Sequence, residues 1–220
     1  MAITINGTSN TITGLAAGGL PDNTIDNGSM ADDAIGVAEL SATGTASSST
    51  YLRGDNSWAA LTSGLTEADN WRITADFSGD ADPISSNLER VDGTLQPSTQ
   101  LGSGMSVSSG VWTFPSTGYW YVTFYHTFWK DGSTRYIESY ISSTADNGSA
   151  WDHRIGFAQT HITQSSGDTF GSQIASTLLD ITDTSNHKIR FGTAAGSAVT
   201  TYGSSTDSRT HFIFMKLGDT

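Results

Sequence analysis

The chain contains no cysteine. That absence excludes disulfide staples, thiolate metal centres and cysteine nucleophiles together. Cations are scarce: 10 Lys and Arg stand against 22 Asp and Glu, a formal net charge of -12. A chain this acidic has no electrostatic reason to grip a phosphate backbone or an anionic membrane, which argues against nucleic-acid binding. No apolar run is long enough to span a bilayer, so no membrane insertion is expected. Met1-Ala2-Ile3-Thr4-Ile5-Asn6-Gly7 lacks the basic segment and apolar stretch of a secretory leader. The expectation is a chain made in a cytoplasm that reaches any outer destination by another route, such as cell lysis.

Aromatic residues are missing from the first part of the chain. Of 6 Trp, 7 Tyr and 9 Phe, only Tyr51 and Trp58 precede residue 61. Aromatics supply much of the buried area of a core, so the first sixty residues cannot build one alone. The remainder can, burying roughly 70% of its unfolded surface. This predicts an extended attachment or stalk segment over residues 1–65 and a folded head over residues 66–220.

The first segment nevertheless keeps a pattern. Leu15, Leu20, Ile25, Met30, Ile35 and Leu40 recur at every fifth position, mostly after a small residue. Five fits neither the 3.6-residue period of a helix nor the 2-residue period of a strand. One apolar side chain per repeat cannot offset the ordering entropy of a single chain, but several intertwined copies could bury these residues along a shared axis. An oligomeric stalk is the reading; a flexible Gly/Ser-rich linker with chance spacing is its competitor. A short helix from Ser29, capped with Asp32, would fit inside either.

The second segment reads as strands. Val111–Phe114, Tyr119–Trp129, Tyr136–Ile141, Arg154–Ile162, Gln173–Ile181, Lys188–Phe191 and His211–Leu217 are β-branched or aromatic runs. Clusters such as Lys130-Asp131-Gly132-Ser133 and Asp146-Asn147-Gly148-Ser149 punctuate them as turns. No stretch shows a helical period. The fold class is all-β, a sandwich or jelly roll.

Two stretches carry resemblances. Ser47-Ser48-Ser49-Thr50-Tyr51-Leu52-Arg53-Gly54-Asp55-Asn56-Ser57-Trp58-Ala59 resembles a segment of bacteriophage tail-fibre proteins just before the distal domain. Thr11-Ile12-Thr13-Gly14-Leu15 and Gly19-Leu20-Pro21-Asp22-Asn23-Thr24-Ile25 resemble the N-terminal repeats of the same fibres. That likeness implies a virion protein, usually a homotrimer. Gly110-Val111-Trp112-Thr113-Phe114-Pro115-Ser116-Thr117-Gly118-Tyr119-Trp120-Tyr121-Val122-Thr123-Phe124 is similar to the complement globular-head and tumour-necrosis-factor-like jelly rolls. Leu178–Ile181, Lys188–Phe191 and Phe212–Met215 fit the last three strands of those folds. These jelly rolls also imply a trimer.

Candidate chemistry is thin. Arg53-Gly54-Asp55 spells an integrin-type tripeptide, but its setting reads as a turn before Trp58. His126, His153, His161, His187 and His211 show no ligand spacing, so no metal is assigned; a lone histidine could still act as three copies on a trimer axis. Asp76, Asp80 and Asp82 lack the order of a calcium loop and read as a solvated turn. There is no nucleophile elbow, phosphate-cradling loop or zinc motif, so neither an enzyme nor a cofactor is expected. Asn6-Gly7-Thr8, Asn27-Gly28-Ser29 and Asn147-Gly148-Ser149 match the glycosylation pattern but read more simply as turns.

In a jelly roll of this kind successive strands reverse direction, and the last ends at the base where the stalk enters. Counting back from Thr220 puts three connections at the tip: residues 129–134, 163–172 and 193–209. They offer Trp129, Lys130, Asp131, Gln164, Asp168, Tyr202 and Asp207 as candidate receptor-binding residues. Aromatic faces beside amide and carboxylate acceptors are the chemistry of sugar recognition.

The expectation is an intertwined homotrimeric phage tail fibre on the virion exterior. Its partners would be itself, another virion protein at the N-terminal segment, and a host cell-surface glycan or protein at the head. The competing readings are a head fibre or capsid decoration, a polysaccharide-cleaving fibre and a non-viral surface adhesin.

Overall fold

A computed structural model describes residues 4–6, 8, 11–13, 40–60, 64–92, 100–164 and 166–220. The chain divides into two compact units, Met1–Ser63 and Gly64–Thr220. No α-helix occurs among the described residues.

Among its described residues, the first unit holds two short hairpins. Strands β1 (Thr4–Asn6) and β2 (Thr11–Thr13) pair antiparallel, with Ile5 opposite Ile12. Strands β3 (Thr50–Leu52) and β4 (Trp58–Ala60) pair likewise. Between them Arg53-Gly54-Asp55 forms the turn. Asn56 takes a left-handed φ of 62° and donates its N–H to the Arg53 carbonyl at 3.0 Å. Asp55 Oδ1 accepts from the Ser57 hydroxyl at 2.6 Å and the Ser57 N–H at 3.2 Å, an Asx turn. Its carboxylate is committed locally, as a turn residue's should be. Leu15, Leu20, Ile25, Met30 and Ile35 lie outside the described residues, as does the stretch from Ser29. Leu40 is described and exposed.

The second unit, the head, is two antiparallel sheets face to face. The first runs β13 (Asp168–Ile181), β10 (Gly118–Asp131), β16 (His211–Gly218), β5 (Ala68–Ile73) and β7 (Leu88–Arg90). Two short strands, β15 (Thr200–Thr201) and β6 (Phe77–Ser78), extend it beside the far half of β10. The second sheet runs β12 (Asp152–Ile162), β11 (Thr134–Thr144), β14 (Lys188–Ala195), β9 (Val111–Thr113) and β8 (Ser106–Ser108). Apart from the consecutive hairpins β11–β12 and β8–β9, most neighbours in each sheet are not consecutive in sequence, so the chain crosses between sheets as a jelly roll does.

Alternation along β10 explains why the sheets stack. Trp120, Val122, Phe124, His126 and Phe128 point inward and are buried, while Tyr119, Tyr121, Tyr125, Thr127 and Trp129 point away from the core. From the opposite sheet Trp112 enters the same core. Its ring lies 5.1 Å from Trp71, 5.8 Å from Phe191, 5.6 Å from Phe212 and 5.0 Å from Phe214. This aromatic cluster is the main core, and a smaller cluster of Phe128, Ile137, Ile162 and Val199 fills the other end. One carboxylate is sealed in at the sheet edge. Asp69, 1% exposed, accepts from Arg90 at 2.9 and 3.1 Å, from Trp71 Nε1 at 2.8 Å and from the Met105 N–H at 2.7 Å. Four donor hydrogen bonds converge on it, one on Oδ1 and three on Oδ2, which is the compensation a buried charge needs.

The strands expected from periodicity are present and, except β9, which stops at Thr113 rather than Phe114, longer. The reading of residues 163–172 and 193–209 as bare connections is corrected: β13 starts at Asp168, and Thr200–Thr201 pairs with β10. The Asp-Thr-Phe-Gly-Ser run is polar, yet it is held as strand because β10 offers it a partner along its entire length, Asp131 opposite Asp168 through Gly118 opposite Ile181. Strands β5, β7 and β8 carry polar faces and were not legible from pattern alone.

Candidate functional site

The two ends of the head differ. At the base, the start of β10 meets the end of β13 and of β16: Gly118 lies opposite Ile181, and Tyr119 opposite Gly218. At the other end three connections gather. The Ser133 hydroxyl donates to the Gln164 carbonyl at 3.0 Å, and the Ser197 N–H donates to Thr134 Oγ1 at 3.2 Å.

The outward face of the first sheet reaches this loop end as a row across four strands. Phe170 of β13 stands opposite Trp129 of β10, which stands opposite Thr200 of β15, which stands opposite Ser78 of β6. The Trp129 and Phe170 rings lie 6.4 Å apart, and Tyr202 adds a third ring 5.8 Å from Phe170. Arg209 lies over the Tyr202 ring at 4.3 Å and pairs with Asp207 at 3.3 Å. The hydroxyls of Ser78 and Thr200 meet at 2.7 Å. One step further along the strands, the exposed Asp131 and Asp168 are cross-strand neighbours.

Of the seven residues expected here, Trp129, Asp131, Asp168, Tyr202 and Asp207 therefore come together. Two do not. Lys130 alternates to the other face of β10 and donates its Nζ to the Ala198 carbonyl at 2.7 Å. Gln164 has both atoms of its amide buried without a partner. Phe170, Arg209, Ser78 and Thr200 were not anticipated. For Phe170 a signal existed, because Phe170, Ile174 and Leu178 repeat every fourth residue on one face of β13, with Ser172 and Ser176 between them.

That stripe is the second notable surface. Phe170, Ile174 and Leu178 are 58, 51 and 58% exposed. Register places Leu178 beside Tyr121 and Met215, and Ile174 beside Tyr125 and His211. His211 stacks on Tyr125 at 4.3 Å, and burial pushes its pKa down. The middle of this sheet thus turns a largely apolar face outward.

The interior holds one titratable group of note. His126 Nδ1 lies 2.7 Å from Ser139 Oγ and its Nε2 lies 3.0 Å from Thr201 Oγ1. Gln173 Nε2 also donates to Ser139 Oγ at 2.6 Å, tying β13 into the same buried polar group. Burial without a counter-charge pushes its pKa down to about 3. The Ser139–His126 pair has no route to solvent, since both are at most 1% exposed.

Among the described residues no group of three or more His, Asp or Glu is placed to hold a metal ion. The acidic trio is dispersed: Asp76 accepts from the Gly203 N–H, Asp80 from the Ala195 N–H, and Asp82 pairs with Arg190 at 3.2 Å. Three hollows on the head, of about 150, 210 and 200 Å³, each fall below the roughly 300–1,000 Å³ of small-molecule pockets.

No protein-family model matches the sequence, and no curated protein matches it. Solved structures do. Eiger TNF from S. frugiperda aligns at 13% identity over 71% of this chain and 96% of its own, with a TM-score of 0.50. Murine APRIL aligns at 12% identity over 69% of this chain and 98% of its own, with a TM-score of 0.46. At such identities the likeness is one of fold, and the head is an all-β sandwich of the tumour-necrosis-factor-like jelly-roll type.

Proposed function

We propose that this chain is a trimeric bacteriophage tail fibre that attaches the particle to its host through the jelly-roll head, without cleaving what it binds. The observation that carries the reading is the outward face of the β13–β10–β16 sheet. Ile174 and Leu178, each more than half exposed, together with the adjoining Tyr121, Ile213 and Met215, form an apolar surface that a lone head would leave in water. A second and third copy of the head are its natural cover, burying apolar area at about 25 cal/mol per Å². The tail-fibre-like segment over residues 47–59 supports the virion assignment, and the fivefold spacing from Leu15 to Leu40 supports a stalk that joins the same three chains. Another virion protein would hold the N-terminal segment. Three heads on one axis convert weak contacts into firm attachment through avidity.

Light scattering on the full chain tests the assembly. Three copies of the 23.2 kDa chain give about 70 kDa, and a mass near 23.2 kDa overturns the trimer. An antibody to the head tests the placement. Labelling of tail tips and blocked adsorption are expected, whereas labelling confined to the capsid would replace the tail reading with a head fibre or capsid decoration.

A further inference from the structure

Resting on that attachment reading, we infer that the loop end of the head is a binding platform for uncharged surface glycans, built on the Trp129–Phe170–Tyr202 ring row.

Three observations point to this ligand class. The first is the rings themselves. Three aromatic side chains gather on one sheet face, with Phe170, 58% exposed, at centroid distances of 6.4 Å from Trp129 and 5.8 Å from Tyr202. Aromatic faces take the C–H faces of sugar rings, and a group of three suits a chain of sugars better than a single terminal one. The second is the hydroxyl pair beside the rings. Ser78 and Thr200 continue the row past Trp129, and their oxygens bond to each other at 2.7 Å, so a sugar hydroxyl that replaces this bond finds both a donor and an acceptor.

The third observation sets the charge. Asp131 and Asp168 stand directly opposite each other, both exposed, and neither has an ion-pair partner among the described residues. Like charges across a strand pair are unfavourable, and hydrogen-bond donors relieve them. Sugar hydroxyls are such donors, while uronate, sulfate or phosphate groups would be repelled. Arg209 does not offset this, because Asp207 already neutralises it at 3.3 Å.

The same charges separate this platform from the apolar stripe that it adjoins. Between Ile174 and Leu178 the outward positions of β13 carry only apolar side chains and serine. At the loop end, burying Asp131 and Asp168 against a second copy would strip their water with no ion-pair partner among the described residues to compensate. The stripe is therefore a protein contact and the ring row stays open.

The test is binding of the full chain to an array carrying neutral oligosaccharides, anionic oligosaccharides and glycosaminoglycans. It is run with wild type, Trp129→Ala and Phe170→Ala, and with Phe157→Ala as an exposed-aromatic control on the other sheet. Signal on neutral glycans is expected, weakened about tenfold or more by loss of Trp129 or Phe170, and unchanged by loss of Phe157. Asp131→Asn with Asp168→Asn should admit anionic glycans that the wild type refuses. The inference is overturned by no signal on any neutral glycan, by signal restricted to anionic ones, or by ring variants that bind like wild type. It is also overturned if Trp129→Ala changes the solution mass, since the row is then an interface. A head that fails on every glycan yet blocks particle adsorption would sink this inference and leave the attachment reading standing; failure of both would sink both.

Discussion

Acid should destabilise this protein through His126, and the size of the effect follows from its burial. The side chain is 1% exposed, hydrogen-bonded to two neutral hydroxyls, and flanked by Phe124 and Phe128 at 5.5 and 5.0 Å. No carboxylate faces it, so the charged form gains nothing that offsets desolvation, and its pKa falls from 6.5 to about 3. Between those values the unfolded chain holds a proton that the folded chain does not. Stability therefore rises with pH across this window and is lost as pH falls through it. Going from pH 7.5 to pH 5 costs about 2 kcal/mol from this group, and the full loss below pH 3 approaches about 5 kcal/mol. Other groups titrate too, so the effect is read as a difference. Urea unfolding of wild type and His126→Gln is compared at both pH values and one protein concentration, since the amide can still bridge Ser139 and Thr201 without taking a proton. Wild type should lose about 2 kcal/mol more than the variant. Equal losses in the two proteins, or an NMR titration of the folded His126 near its ordinary value, would refute the reasoning.

Further outcomes follow from the packing. Trp112→Ala removes the ring on which Trp71, Phe191, Phe212 and Phe214 converge and should cost about 3–5 kcal/mol in chemical denaturation. Asp69→Ala leaves the Met105 N–H and Trp71 Nε1 without an acceptor and Arg90 without its partner, a loss of about 3 kcal/mol; Asp69→Asn should recover part of it. Leu178→Glu, placed on the exposed stripe and clear of the core, should leave monomer stability within about 0.5 kcal/mol while shifting the light-scattering mass toward one chain. Gly192→Val drives a side chain into the Tyr140 ring, which lies flat across that glycine, and should lower the melting temperature and expose a tyrosine whose pKa burial now pushes up to about 12.

Some of this protein was settled by local pattern. The aromatic run Tyr119–Trp129 needs no partner to be read as a strand, and in the structure it forms most of β10, with Trp120, Val122, Phe124, His126 and Phe128 on the buried face. The same alternation could have shown that Lys130 leaves the outward face while Trp129 and Asp131 stay on it. The shortage of aromatics before residue 61 was enough to separate a head able to build a core from a segment unable to. The lack of cysteine removed disulfide and thiolate chemistry before any fold was known.

What the sequence could not decide is what long-range pairing decides. Asp168–Phe170 carries no strand signal of its own; its conformation comes from the register with β10, some forty residues earlier. Ser78, Thr200, Trp129 and Phe170 share one row only because four strands from distant parts of the chain arrive in that order, and no spacing in the sequence encodes it. Asp69 looks like a surface carboxylate until Arg90 and the Met105 N–H close over it. Periodicity reports which face of an element is buried, because that depends on neighbours two or four residues away. The ring row and the sealed carboxylate depend on contacts between distant strands, where the geometry belongs to the whole fold.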